Sequence, residues 1–334
     1  MFNLLQNLLP FALVIVLALW LARAGKQPLW AEAFRRLRRK PLALIALGVI
    51  ALYGLVGLLD SVSWESGRAG QRETVIDRCC RRPVERTYSA PLATMTTGEP
   101  IPHPLRGRHW LGTDGVGEDV IYMTLKGART ALIIGCLTTL IVTPLALFFG
   151  MLAGYFGRRM DDLIQFIYTV LDSIPSILLL IALLMMTGKG LMQLCLALGL
   201  TSWVGLCRLV RGETLKHRDR EYVRAARALG ASNGRILLRH ILPNLMPLVI
   251  ISVTLRFSSL VLAEAVLSYL QLGVEAGTGS WGNMIESARL ELAREPIIWW
   301  NLTAASTALF VLVLAFNILG DALRDAIDPH LRTS

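Results

Sequence analysis

Seven runs of apolar residues, each close to the length needed to cross a bilayer, alternate with charged stretches along the chain: 4–21, 41–59, 128–149, 163–186, 191–206, 245–270 and 301–319. At 1.5 Å of rise per residue, about 20 helical residues cover the ~30 Å hydrocarbon core. The pattern predicts an all-α polytopic membrane protein with seven spans. The charges between the runs orient them. Arg35, Arg36, Arg38, Arg39 and Lys40 precede the second run, Arg158 and Arg159 sit between the third and fourth, and Arg224, Arg227, Arg235 and Arg239 lie between the fifth and sixth. Short loops rich in Lys and Arg stay in the cytoplasm, which places the C-terminus there as well. The first run has its charges, Arg23 and Lys26, after its apolar core. A cleaved leader carries them before it, so this run reads as an anchor with its N-terminus outside.

Two polar stretches stand out. Residues 60–126 form a long insertion rich in Pro, Arg and Gly with no sustained period. It reads as external, because loops longer than about 60 residues escape the charge rule. The other stretch, DREYVRAARALGASNGRILLRHILPN from Asp219 to Asn244, is too basic to span. Its Ala225, Ala226 and Ala228 favour helix, Gly230 is a natural C-terminal stop, and Ser232 or Asn233 can cap a new start. Ile236, Leu237 and Ile241 then give the second helix an apolar side. The segment reads as helix, tight turn, helix.

Composition narrows the class. The chain of 334 residues is 54% hydrophobic and 17% charged, too apolar for a soluble domain of this size. Its net charge of +10 suggests nucleic acid in a soluble protein, but here the cations cluster at the ends of apolar runs and set orientation instead. The five cysteines form no CxxC motif, and no P-loop, catalytic set or metal-ligand set is present in the sequence. Ionisable residues inside the runs are the remaining candidates. Asp172 and Pro175 fall in the fourth, Arg256 and Glu264 in the sixth. Charges at membrane depth are costly and face a bundle interior, a water path or a partner. Asp172 and Pro175 fit either path lining or packing at a helix kink. Arg256 and Glu264 are about 80° apart around their helix, so each needs a partner elsewhere. Gly150 and Gly154 form a small-xxx-small pattern, open to a lipid-facing glycine pair or a contact between subunits.

Three motifs carry a family resemblance. Arg224-Ala225-Ala226, Gly230 and Leu242-Pro243 have the spacing of the EAA loop of ABC-importer permeases, with Arg224 in place of the usual Glu. His109 to Val120, HWLGTDGVGEDV, is similar to the LGTDxxGRD signature of the dipeptide, oligopeptide and nickel permease subfamily, matching at Leu111, Gly112, Thr113, Asp114, Gly117 and Asp119. EAVLSYLQLGV from Glu264, Ser280-Trp281-Gly282 and NILGDALRDAIDP from Asn317 resemble further segments of that subfamily.

The resemblance covers about residues 35–330. It implies a six-helix type I importer core with one extra N-terminal helix: 1–34 the extra span and linker, 35–127 the first core span and external loop, and 128–330 the permease core with a coupling loop over 212–243. It also implies that Glu221, Arg224, Ala225, Ala226, Gly230, Ala231, Leu242 and Pro243 serve coupling to an ATPase, and that Asp172, Pro175, Arg256 and Glu264 are candidates for the path. The implied partners are a second, homologous permease, two ATPase subunits or domains that bind ATP and Mg, and an external substrate-binding protein. The implied location is the bacterial inner membrane. No catalysis or bound cofactor is implied for this chain. Peptides are the first substrate class, nickel or metal chelates an alternative, and a secondary transporter or channel a reading from another class.

Overall fold

The computed structural model describes residues 34–65, 72–275 and 277–327. The expected first span, 4–21, lies outside the described residues. Helix α1 covers Pro41–Ser61, with Pro at its start where no amide is needed. A two-stranded antiparallel hairpin follows, β1 (Ser63–Glu65) and β2 (Arg72–Thr74), then the short helix α2 (Val75–Cys80). The remaining helices are α3 (Val120–Phe156), α4 (Arg158–Ser173), α5 (Ser176–Thr187), α6 (Leu191–Arg218), α7 (Glu221–Ala228), α8 (Asn233–Tyr269), α9 (Trp281–Glu291) and α10 (Trp300–Ile327). Within α8, Ile236–Ile241 is wound as π-helix.

Helix α3 is the yardstick of the fold. Its 37 residues extend about 55 Å, well beyond the hydrocarbon thickness. At its Val120 end a core of Tyr88, Val120, Phe257, Trp281 and Trp300 holds the 72–119 segment and α9. At its Phe156 end a second core of Met151, Tyr155, Ile164, Val210, Val223 and Ile241 holds the basic segment 219–244. A third, around Ile134, Leu194, Leu198 and Leu260, fills the middle. Helices α3 and α6 form the most extensive pair. The face of α1 turned away from the bundle is apolar and exposed, with Leu42, Ile45 and Leu52, as a lipid-facing helix requires.

Four expectations change. The fourth run, 163–186, is not one continuous helix but is divided between α4 and α5, which meet at 86°. Pro175 supplies no amide and drives Ile174 into extended conformation (φ −89°, ψ 128°). Helix α4 is also amphipathic, with Arg158, Arg159, Asp161 and Asp162 in its first turns, so half of the expected span is not apolar all round. Among the described residues, five helices are then long and apolar enough to cross a membrane, or six if the bent pair counts as one. Second, α3, α6 and α8 outrun their apolar windows, since a helix continues into water as long as its backbone is satisfied. Third, residues 72–119 of the insertion without a period are held by long-range contacts described below. Fourth, the close approach at the Gly150/Gly154 pair is made by α6 of the same chain. Cβ atoms there would meet Cys207 O and Val210 from Gly150, and Arg211 O and Thr214 from Gly154.

Candidate functional site

The basic segment is a short helix held out from the end of the bundle. Helix α6 closes with Lys216, His217 and Arg218 in its last turn, where cations complement the helix dipole, and α7 opens with Glu221 in its first. Along α7, Val223 and Ala226 are buried while Glu221, Arg224 and Ala225 face outward. The helix ends in a Schellman motif. The Ala231 amide donates to Ala226 O at 3.0 Å and the Gly230 amide to Arg227 O at 3.0 Å, with Gly230 at φ +80°. Leu229, just before the turn, is 88% exposed. Of the other predicted coupling residues, Ala231 and Leu242 are half-buried and Pro243 is exposed.

Polar contacts fix this segment to the bundle. Tyr155 Oη of α3 donates to Asn233 Oδ1 at 2.9 Å and accepts from Arg227 Nη2 at 3.3 Å. Arg218 Nη1 donates to Gly154 O at 3.4 Å. Arg211 makes a two-pronged pair with Asp161, at 2.5 and 2.7 Å, joining α6 to α4. The π-turn has a local cause. Pro243 has no amide to give Arg239 O, and the Leu242 amide reaches back five residues to Leu237 O. Asn244 Nδ2 donates to His240 O at 2.6 Å, satisfying a carbonyl beside the break.

The path candidates do not share one site. Asp172 lies in the last turn of α4, half exposed and paired with Arg208 of α6 at 2.8 Å. Pro175 forms the α4–α5 break. Arg256 donates to Ser202 O of α6 at 3.3 Å. Glu264 is buried, and one of its oxygens accepts from Ser268 at 2.8 Å and from Ser280 at 2.6 Å. Glu264 therefore ties α8 to the start of α9.

At the opposite end lies a cluster that sequence reasoning did not assemble. His109 is fully buried, with Nδ1 2.8 Å from Asp119 Oδ2 and Nε2 3.3 Å from Glu85 Oε1. Asp119 also caps α3 by accepting the Tyr122 amide at 3.1 Å. Gly117 lies against Glu85, where a Cβ would strike the Glu85 carbonyl. Asp114 accepts the Val116 and Glu118 amides, and burial pushes its carboxyl above the usual range, against the pull of those amides. Trp300 is buried and donates to Thr113 O at 2.9 Å, while Trp299 is exposed. A second cluster anchors the hairpin. Lys126 Nζ lies 2.7 Å from Asp77 Oδ1 and 3.6 Å from Asp60 Oδ1, Tyr122 Oη donates to Asp77 at 2.6 Å, and Thr74 donates to Asp60 at 2.8 Å. Burial alone raises the Asp77 carboxyl, but these hydrogen bonds and the Lys126 charge outweigh it and hold it at about 2. The signal was present in His109 and Asp119, but their partner Glu85 is 24 residues from His109 and no spacing rule links them.

The profile of the binding-protein-dependent transport system inner membrane component family matches residues 146–333, more than half of the chain. The chain belongs to that family. The profile of the N-terminal TM domain of oligopeptide transport permease C matches residues 28–65, which include α1. The oligopeptide transport system permease protein OppC of Bacillus subtilis is 32% identical over 304 residues, 91% of this chain and 90% of that protein. The dipeptide transport system permease protein DppC of Bacillus subtilis is 38% identical over 229 residues, 69% of this chain and 71% of that protein. The glutathione transport system permease protein GsiD of Pectobacterium atrosepticum is 37% identical over 225 residues, 67% of this chain and 74% of that protein. Among solved structures, an inward-facing MetNI methionine ABC transporter aligns with TM-score 0.50 at 20% identity, covering 62% of this chain and 97% of that one. That likeness concerns the fold alone. This permease is a multi-pass protein of the inner membrane, built on the type I importer fold.

Proposed function

We propose that this permease forms half of the translocation path of an ATP-driven importer of peptides, with a second, homologous permease as the other half. Two ATPase subunits that bind ATP and Mg supply the energy, and an external binding protein delivers the solute. The permease itself carries no catalytic residue or cofactor in this reading. Coupling runs through Glu221, Arg224, Ala225, Ala226, Gly230, Ala231, Leu242 and Pro243. The observation that carries the reading is the form of α7. One face is sunk in the core through Val223 and Ala226, the other is a basic rim, and an exposed Leu229 stands at its tip. A lone exposed leucine is ordinary, but one at the tip of an anchored helix, next to a turn that only glycine enters cheaply, is a knob suited to a cleft. The peptide assignment rests on the relatives named above.

The test is co-purification of the ATPase with two variants, alongside ATP hydrolysis in reconstituted membranes. Gly230 has open space where a side chain would go, so Gly230→Val acts through backbone strain of roughly 1–2 kcal/mol and through whatever docks there. It inserts normally but loses the ATPase, and uptake falls with hydrolysis. Arg224 has no acidic partner among the described residues, and an exposed charge contributes about 0–1 kcal/mol, so Arg224→Ala keeps most of both. A fully coupled ATPase on Gly230→Val overturns the assignment.

A further inference from the structure

One intramembrane face of this permease is not built for lipid. On α6, Ser202 and Gly205 are half-buried and Arg208 is exposed, and beside them on α8 Arg256 is half-buried and Ser259 exposed. Arg256 lies midway along the Leu242–Tyr269 stretch of α8, about 20 Å from either end and so near the bilayer centre. Its guanidinium crosses to α6, donating to Ser202 O at 3.3 Å and lying over Gly205, where a Cβ would collide with Nη2. That one bond occupies one of five N–H donors. No carboxylate pairs with Arg256 among the described residues. Glu264 is committed to Ser268 and Ser280, and Asp172 is committed to Arg208. The face therefore presents one neutralised pair and one uncompensated cation with free donors.

A guanidinium turned to lipid at that depth is strongly disfavoured, so the face opens onto protein or water. We propose that Arg256 lines the solute path and holds a carboxylate of the passing solute, favouring peptides with a free C-terminus over amidated peptides and bare divalent cations. This rests on the importer reading above. The planar fork of Arg matches a carboxylate with two parallel hydrogen bonds, whereas a divalent cation meets a like charge at the narrow part of its route. Gly205 provides the room in which the fork lies flat.

The test uses the complete transporter in proteoliposomes, with trialanine and trialanine amide each supplied at concentrations saturating the binding protein. The readout is the ratio of acid to amide uptake. Arg256→Gln lowers that ratio about tenfold by slowing the acid, while amide uptake and ATP hydrolysis persist. Arg256→Lys keeps the ratio within about threefold, and Gly205→Ala, which displaces the guanidinium without removing it, lowers the ratio partway. An unchanged ratio in Arg256→Gln, or equal loss of both peptides there and in Gly205→Ala, overturns the proposal while the importer reading stands. Failure of the wild-type complex to take up either peptide overturns the peptide reading and the assignment of Arg256 with it.

Discussion

Replacing Gly154 by Ala tests the contact on which the loop end of the bundle rests. A Cβ there would lie 2.6 Å from Thr214 Cβ and 2.7 Å from Arg211 O, short of an ordinary 3.4 Å contact by roughly 0.7 Å. Neither neighbour can swing aside, since one is a backbone carbonyl and the other the first side-chain carbon. Helix α6 must therefore shift, and overpacking of this kind costs about 1–3 kcal/mol. Alanine recovers up to about 1 kcal/mol of helix propensity, leaving a net loss of up to about 2 kcal/mol. Gly212, on the facing helix, is the control, because nothing lies within 4 Å of its Cβ position. There the same substitution stabilises by about 0.5–1 kcal/mol. In detergent-solubilised protein, Gly154→Ala lowers the thermal midpoint by up to about 5 °C and Gly212→Ala raises it or leaves it unchanged. If Gly154→Ala is at least as stable as the wild type, α3 and α6 are not packed at this distance and the account of the loop end fails.

Two more predictions concern the opposite end. Asp77→Asn removes the charge that pairs with Lys126 and weakens the hydrogen bond from Tyr122, at a cost of about 1.5–3 kcal/mol, and protease added to oriented vesicles then cuts the hairpin between α1 and α2 faster. Because the Asp77 carboxyl is held at about 2, below its unfolded value of about 3.9, its contribution is present above about pH 4. Wild-type protection is lost as pH falls toward 2, and a similar pH profile in Asp77→Asn would assign the loss to other groups. Glu264→Gln preserves assembly, because Ser268 and Ser280 donate to a single oxygen that an amide can reproduce. Glu264→Ala strands two buried hydroxyls and lowers the yield of folded protein, and equal yields of the two variants would show that the carboxylate charge or nothing at all is required there.

The parts of the structure legible in the sequence are those with local causes. Gly230 stops α7 because a helix C-terminus needs a left-handed residue two positions past its last turn, and that requirement is written in a single residue type. The 86° turn at Ile174–Pro175 was legible only as a kink, since proline fixes where the ladder breaks but packing fixes where the chain goes next. The partner of Gly150 and Gly154 was illegible for the same reason, as small residues announce a close approach without naming what approaches. The 72–119 segment was hidden because it is held by single long-range bonds, such as Trp300 to Thr113 and Glu85 to the Gly107 amide at 3.0 Å, and such bonds leave no period. Arg256 was visible as an anomaly. Its lack of a carboxylate partner was not, because that depends on where Glu264 and Asp172 spend their charge.

The placement of these residues limits how a load on α7 can travel. Val223 and Ala226 share one close-packed core with Tyr155 of α3, Tyr168 of α4, Val210 of α6 and Leu245 of α8, and cores packed to that density pass displacement on rather than absorb it. Helix α7 therefore cannot be pushed without carrying the adjoining ends of α3, α6 and α8. Helix α5 is tied to that group at both ends, by the extended pair Ile174–Pro175 and by the short 188–190 turn into α6, and it packs through Leu180 and Leu184 against Leu194 and Leu198 of α6. Further up, the two carried helices α6 and α8 are the ones bridged by the Arg256 guanidinium over Gly205. If they move as one body, the Arg256 guanidinium stays seated over Gly205. If the π-turn at Ile236–Ile241 lets α8 slide against α6, the 3.3 Å bond to Ser202 is the first contact to yield, because it is long and replaceable by a carboxylate. The weakest polar contact on the face thus sits where a moving load and a passing anion would both act on it.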